Sequence, residues 1–273
     1  MNILIIIAII VSIFLLILLF IKRKTTRRKP VVAIKEEPSD KSVFKLKKTS
    51  GHPMKYYISL PEGWSPDKKW DVIILVEGRG CKWLKMGKAF ARERKNLPFI
   101  LVVPQAFSNT DIVKREKYFY SDDILEKYEK TGVMSPERLK FDEEGILALT
   151  SDIHKEYGGN ERFFIAGHSG GGLIIWRLIT RHPEKLQATA FGCGCFYNPK
   201  PVSDSAGKED LPIMAFQGED DKYIVTMNGQ WARAKLFCKE YGMKNVDRKI
   251  VPGRGHEFFE AEIMEFFSRL IEN

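Results

Sequence analysis

The chain has 273 residues, 44% hydrophobic and 12% aromatic, with a formal net charge of +9. That charge is uneven: residues 1–50 hold 11 Lys or Arg against 3 Asp or Glu, and the remainder holds 33 against 32. The near-neutral body excludes a nucleic-acid-binding domain, the apolar content excludes disorder beyond the N-terminal region, and four cysteines in so long a chain exclude a disulfide scaffold.

The first element is an almost unbroken apolar run from Ile3 to Ile21, relieved only by Ser12. At about 1.5 Å per residue, a helix of this length crosses a hydrocarbon layer of about 30 Å. No basic residue precedes the run and no small-x-small cleavage pattern follows it, so residues 1–21 read as an uncleaved transmembrane anchor rather than a secretion signal. Lys22, Arg23, Lys24, Arg27, Arg28 and Lys29 come directly after it. Retention of Lys and Arg on the cytoplasmic side predicts a cytoplasmic body with Met1 outside. Residues 22–50, basic and interrupted by Pro30 and Pro38, read as a juxtamembrane linker suited to anionic headgroups, so a lipid bilayer is the expected partner.

Residues 51–273 form the expected catalytic domain. Strand patterns open at 43–48 and 54–60, and these two initial strands are expected to run antiparallel to the rest. The apolar run 72–76 is of the kind buried on both faces of a parallel sheet, and it stops at Glu77-Gly78-Arg79-Gly80. Helical composition over 82–95 leads to a second buried strand, 99–103, closed by Pro104. Residues 105–140 are polar and poorly periodic, a long excursion of a kind that often shapes or covers a pocket; Tyr118, Phe119 and Tyr120 are its candidate binding residues. A helix follows over 142–157, broken by Gly158-Gly159, and then a strand over 162–166 and a helix over 171–181. Strands at 188–192, 213–216 and 246–251 and helices at 228–241 and 260–271 complete the chain. The succession predicts an α/β fold, with a mostly parallel central sheet and helices on both faces.

The sharpest chemical pattern is FFIAGHSGGGLIIW, residues 163–176. A strand enters a tight turn and a helix leaves it, which projects Ser169 above the sheet as a nucleophile while Gly167 and Gly171 avoid collisions in the bend. Gly170 follows the nucleophile and presents its backbone N–H to a substrate oxyanion. A serine needs a base, and the base needs an orienting acid. Of the five histidines, His52 precedes the core, His154 lies on a surface-type helix, His182 stands at a helix end, and His168 adjoins the nucleophile as packing or pocket wall. His256, in the loop between the last strand and the last helix, is the candidate base. The carboxylates Glu219, Asp220 and Asp221 follow the strand 213–216. Asp221 is the candidate acid and Asp220 its alternative, since one residue decides which carboxylate faces His256, whereas Glu219 is expected to face solvent. Cys81, Cys193, Cys195 and Cys238 lack the spacing and histidine companions of a zinc site and read as buried thiols.

These residues carry a resemblance. Ser169 in its elbow, Asp221 in a Gly-x-x-Asp turn and His256 in a Gly-x-Gly-His-x-Phe stretch stand in the order of the α/β-hydrolase superfamily. The chain is most similar to its polyhydroxybutyrate-depolymerase-like, dienelactone-hydrolase-like and prolyl-oligopeptidase-like esterases and peptidases, over approximately residues 54–273. The resemblance implies an α/β-hydrolase fold, the triad Ser169, Asp221 and His256, and a second oxyanion donor from the loop after the early strand, here the backbone N–H of Arg79 beside that of Gly170. Many relatives carry histidine before the first loop glycine, where this chain has Glu77. The expected activity is cleavage of a carboxylic ester through an acyl-enzyme, with no cofactor or metal required. The alternatives are a serine peptidase acting on small peptides and a noncatalytic, membrane-tethered binding protein.

Overall fold

The computed structural model describes residues 44–80, 82–106, 108, 120–199 and 208–271. The anchor at 1–21, most of the basic linker, Cys81, Tyr118 and Phe119 lie outside the described residues. Among the described residues no helix is long and apolar enough to cross a membrane.

Eight strands form one sheet: β1 Lys45–Lys48, β2 Lys55–Ser59, β3 Asp71–Val76, β4 Phe99–Pro104, β5 Phe163–His168, β6 Leu186–Gly192, β7 Ile213–Gly218 and β8 Val246–Val251. Their order across the sheet is β1-β2-β4-β3-β5-β6-β7-β8. β2 pairs antiparallel with both β1 and β4, and every pair from β4 to β8 is parallel. The expectation that both opening strands oppose the rest is therefore corrected. β1 folds back on β2 through a short turn in which Thr49 N donates to Met54 O at 2.9 Å, so β1 points with the parallel strands and β2 alone runs against them.

The apolar runs of the central strands serve two cores at once, because successive side chains point to opposite faces. Val72, Ile74 and Val76 of β3 join Ile100, Val102, Phe163 and Ile165 in one buried cluster, whereas Ile73, Leu75, Leu101, Val103, Phe164 and Ala166 join the other. Helix α1, Trp83–Arg94, seals the second face with Trp83, Met86 and Phe90. Beyond β4 come α2, Asp122–Glu129, and α3, Pro136–Tyr157, which seals the first face with Leu139, Ile146, Leu149 and Ile153. The remaining helices are α4 Gly172–Arg181 and α5 Ile224–Glu240 on the first face, and α6 Glu260–Ile271 on the second.

The excursion between β4 and α3 is more regular than its composition implies. Ser135 accepts from Arg138 N and Pro136 opens the helix, so α3 begins before the expected residue 142 and runs until Gly158, whose φ of 71° ends it. Tyr120, a candidate binding residue in the sequence, instead packs edge-on against Phe141 with ring centroids 5.5 Å apart, and its hydroxyl donates to Gln105 O. It belongs to a small satellite core with Leu125, Tyr128 and Phe141.

The chain moves from β3 outward to β4 and then returns to the other side of β3 with β5. At such a reversal the crossover helices leave the sheet to opposite faces, and a crevice opens beyond the carboxyl ends of the strands. The loops after β3, β5, β7 and β8 all emerge there.

Candidate active site

β5 ends at His168, and the next residue, Ser169, has a φ of 50°, in the left-handed region that L side chains rarely adopt. A 3-10 turn over Ser169–Gly171 carries the chain straight into α4. Such a backbone costs of order 1–3 kcal/mol and persists only where its surroundings hold it. The surroundings here are tight: a Cβ on Gly171 would lie 2.2 Å from Val76 O, and one on Gly167 2.6 Å from Ile175 Cδ1. Glycine at both positions lets the turn lie flush against β3 and α4.

The loop after β3 closes on the same turn. A Cβ on Gly78 would lie 2.8 Å from the His168 carbonyl oxygen and 3.3 Å from the Gly170 nitrogen. Glu77, buried at 3% exposure, fixes this loop because its Oε2 accepts from Lys82 N at 3.0 Å. The glutamate thus ties the loop together from the position before its first glycine. Arg79 and Ser169 line one cavity of about 680 Å³, so the loop bearing Arg79 and the turn bearing Gly170 meet at its wall.

His256 lines that cavity too, from the loop between β8 and α6. Its Nδ1 lies 2.7 Å from Asp221 Oδ2. The backbone explains which of the three consecutive carboxylates turns inward. Glu219 N donates to Val251 O at 3.0 Å and Asp220 N to Arg254 O at 2.9 Å, which pins both residues along the neighbouring loop with exposed side chains. Asp221, one residue on, is buried at 2% exposure. Its Oδ2 also accepts from Gln217 Nε2 at 2.7 Å, and its Oδ1 accepts from Tyr223 N at 2.8 Å.

Burial opposes ionisation of Asp221, but hydrogen bonds from Tyr223 N, His256, Cys193 and Gln217 outweigh it and hold the carboxyl down at about 2. An ionised carboxylate only accepts, so His256 Nδ1 carries a proton and, in the neutral ring, Nε2 is left as an acceptor. That is the tautomer a general base requires.

The structure also brings in residues the sequence did not single out as part of the site. Cys193 leaves β6 fully buried, and burial pushes its thiol up to about 12, so it stays protonated beside the Asp221 carboxylate. Its sulfur, an Asp221 oxygen and a His256 nitrogen lie within 4.8 Å of one another. Cys195 is also raised, by burial against an opposing contact with the Ser169 hydroxyl. His168 forms cavity wall, its ring 4.7 Å from that of Phe258 and 5.0 Å from that of His256. No spacing rule reveals Cys193, because it meets Asp221 only through the alignment of β6 with β7; Gln217, at the end of β7, reaches Asp221 four residues on through the turn that follows the strand.

The other histidines are occupied elsewhere. The ring of His52 is 4.5 Å from that of Phe141, His154 Nδ1 is 2.8 Å from Gly159 O, and His182 Nε2 is 2.8 Å from Glu143 Oε1.

A family model described as phospholipase/carboxylesterase matches residues 64–272. No curated protein matches the chain significantly. Solved structures share the fold at low identity. Poly(aspartic acid) hydrolase-1 from Sphingomonas sp. KT-1 superposes with a TM-score of 0.59 at 13% identity, over 84% of this chain and 98% of that one. A thermostable esterase gives 0.58 at 21% identity, over 84% of this chain and 62% of that one. The poly(3-hydroxybutyrate) depolymerase LpqC from Bordetella parapertussis gives 0.54 at 14% identity, over 80% and 85%.

Proposed function

The chain belongs to the phospholipase/carboxylesterase family of α/β-hydrolases and is a hydrolase, and from this premise we propose that it cleaves a carboxylic ester with Ser169 as nucleophile, His256 as base and Asp221 as orienting acid. One observation carries the reading: Ser169 and His256 line the same cavity, and His256 Nδ1 is 2.7 Å from the buried Asp221 carboxylate.

In the proposed reaction, His256 Nε2 takes the proton of Ser169 Oγ as the oxygen attacks the ester carbonyl. The carbonyl π-electrons move to oxygen, and the backbone N–H groups of Arg79 and Gly170 stabilise that charge. Collapse expels the alcohol, protonated by His256, and leaves an acyl group on Ser169. Water then attacks the acyl-enzyme with His256 again as base, releasing the acid. Asp221 stays ionised throughout and stabilises the imidazolium.

Cleavage of peptides by the same constellation is the second reading, since an amide carbonyl can be attacked in the same way. Purified protein tested on short-acyl p-nitrophenyl esters and on aminoacyl p-nitroanilides separates the two. Ester turnover that Ser169→Ala abolishes supports the proposal, and activity confined to the amides overturns it. The reading also tethers the enzyme to a bilayer through residues 3–21, supported by the unbroken apolar run and the basic cluster that follows it. Protease digestion of intact cells tests the cytoplasmic placement: cleavage of the catalytic domain without lysis rejects it.

A further inference from the structure

The cavity is not electrically neutral at its mouth. Lys82 and Lys85 enter it from the start of α1, Arg79 from the loop before, and Lys222 from the loop that carries Asp221. Two segments far apart in sequence therefore place cations on one small opening. Neither Lys82, Lys85 nor Lys222 forms an ion pair among the described residues.

Three carboxylates line the same cavity, and two are committed elsewhere. Glu77 is buried beneath the loop, where it accepts from Lys82 N at 3.0 Å and lies 3.9 Å from His168 Nδ1. Glu257 accepts from Arg254 Nε at 2.8 Å and from Gly255 N at 3.1 Å. Glu260 stands in the first turn of α6, where the helix dipole favours its charge. No acidic residue occupies the first turn of α1, although the Glu77 carboxylate caps the Lys82 amide at its start, so the excess of positive charge at the opening rests on the lysine side chains. Low-dielectric walls around such an opening focus its potential on whatever enters.

We propose that the preferred substrate is an ester bearing an anionic group, a carboxylate or phosphate, seated between Lys82, Lys85 and Lys222 while its carbonyl lies at Ser169. The inference rests on Ser169 being the nucleophile. A volume of about 680 Å³ accommodates a small ester together with such a group. Exposed charge pairs contribute roughly 1.4- to fivefold each in binding, so three of them favour the anionic ester by at least about threefold at low salt, and salt erodes the preference.

The test compares p-nitrophenyl hemiglutarate with p-nitrophenyl valerate, matched in length and leaving group, on the full-length protein. The expected ratio of kcat/KM favours the hemiglutarate by at least about threefold at low salt, shrinks in concentrated salt, and falls to unity or below in Lys82→Glu/Lys85→Glu/Lys222→Glu. Single Lys85→Glu and Lys222→Glu variants with wild-type melting profiles show the same direction of change and guard against misfolding of the triple variant. A second arm offers phosphatidylglycerol and phosphatidylcholine vesicles. Fatty-acid release from the former alone assigns the anion to a lipid headgroup; hemiglutarate preference without such release assigns it to a soluble substrate. Equal or better cleavage of valerate by untreated protein, when a separate aliquot of the same preparation is labelled at Ser169 and inactivated by a fluorophosphonate, overturns this inference and leaves the nucleophile standing. Failure of that labelling overturns the nucleophile, and the inference with it.

Discussion

Asp221→Asn changes one atom of a side chain that receives hydrogen bonds at both oxygens. Gln217 Nε2 and His256 Nδ1 both approach Oδ2 at 2.7 Å, and Tyr223 N approaches Oδ1 at 2.8 Å. An amide has one oxygen and one NH₂, so either its NH₂ faces the two donors at the first position or it faces the backbone donor at the second. Relief of the first clash needs His256 to move its proton to Nε2, which removes the acceptor that Ser169 requires. A base fixed in the wrong tautomer costs roughly 10³ to 10⁴ in kcat, about 4–5.5 kcal/mol of barrier. An unsatisfied buried donor costs a further 1–3 kcal/mol or so of folding stability. Hydrolysis of p-nitrophenyl acetate at neutral pH reads the first effect, and urea unfolding reads the second. The neighbour provides the control: Asp220→Asn, with an exposed side chain, is expected to retain activity within about twofold. A variant Asp221→Asn with more than a tenth of wild-type kcat, or an equal loss in Asp220→Asn, refutes the reasoning.

The depressed Asp221 carboxyl also predicts an acid limit on stability. Its folded value, about 2 against an ordinary 3.8, stabilises the fold above the ordinary value by about 2 kcal/mol, and that contribution disappears as pH falls through 4 towards 2. Urea midpoints measured across this window are expected to drop in the wild type and to lack this component in Asp221→Asn. Ser169→Gly relieves the positive φ at 50°, so it is expected to gain about 1 kcal/mol of stability while losing ester hydrolysis, a gain that Ser169→Ala does not share. Glu143, buried on α3, accepts from Arg181 Nε at 2.7 Å, lies 2.8 Å from His182 Nε2 and also receives Arg177, all from α4 and its end. Its removal in Glu143→Ala leaves the Arg177 and Arg181 guanidinium groups without this acceptor, and thermal unfolding is expected to register a loss of about 3 kcal/mol.

Much of this architecture is legible in the sequence because each central strand is apolar on both faces. The runs at 72–76 and 99–103 permit no exposed side, and they become β3 and β4, buried throughout apart from Asp71 at the start of β3. Strand direction is not written in such runs. Alternation at 43–48 and 54–60 marks two strands, but only the hairpin turn decides that β1 points with the sheet and β2 against it. The beginning of α3 was available as Ser135-Pro136-Glu137, a capping residue, a first-turn proline and a first-turn acid, yet the polar segment before it hides that signal. At the site, the strand-turn-helix pattern marks Ser169 because its glycines are needed for a close approach to β3. The choice between Asp220 and Asp221 depends instead on backbone hydrogen bonds to Val251 and Arg254, which no local pattern contains. Cys193 was invisible for the same reason, since it reaches Asp221 across the register of β6 with β7, whereas Gln217 is local to Asp221 and only the turn after β7 decides that its amide points there.

The central claim is that the acyl group passes through Ser169. Rapid acid quench during turnover of a p-nitrophenyl ester, followed by mass mapping of the proteolysed chain, tests it directly. The account predicts a single acyl adduct on the peptide containing residues 163–176, located at Ser169 and absent from Ser169→Ala. Turnover that persists in Ser169→Ala, or an adduct on Cys195 in place of Ser169, contradicts it.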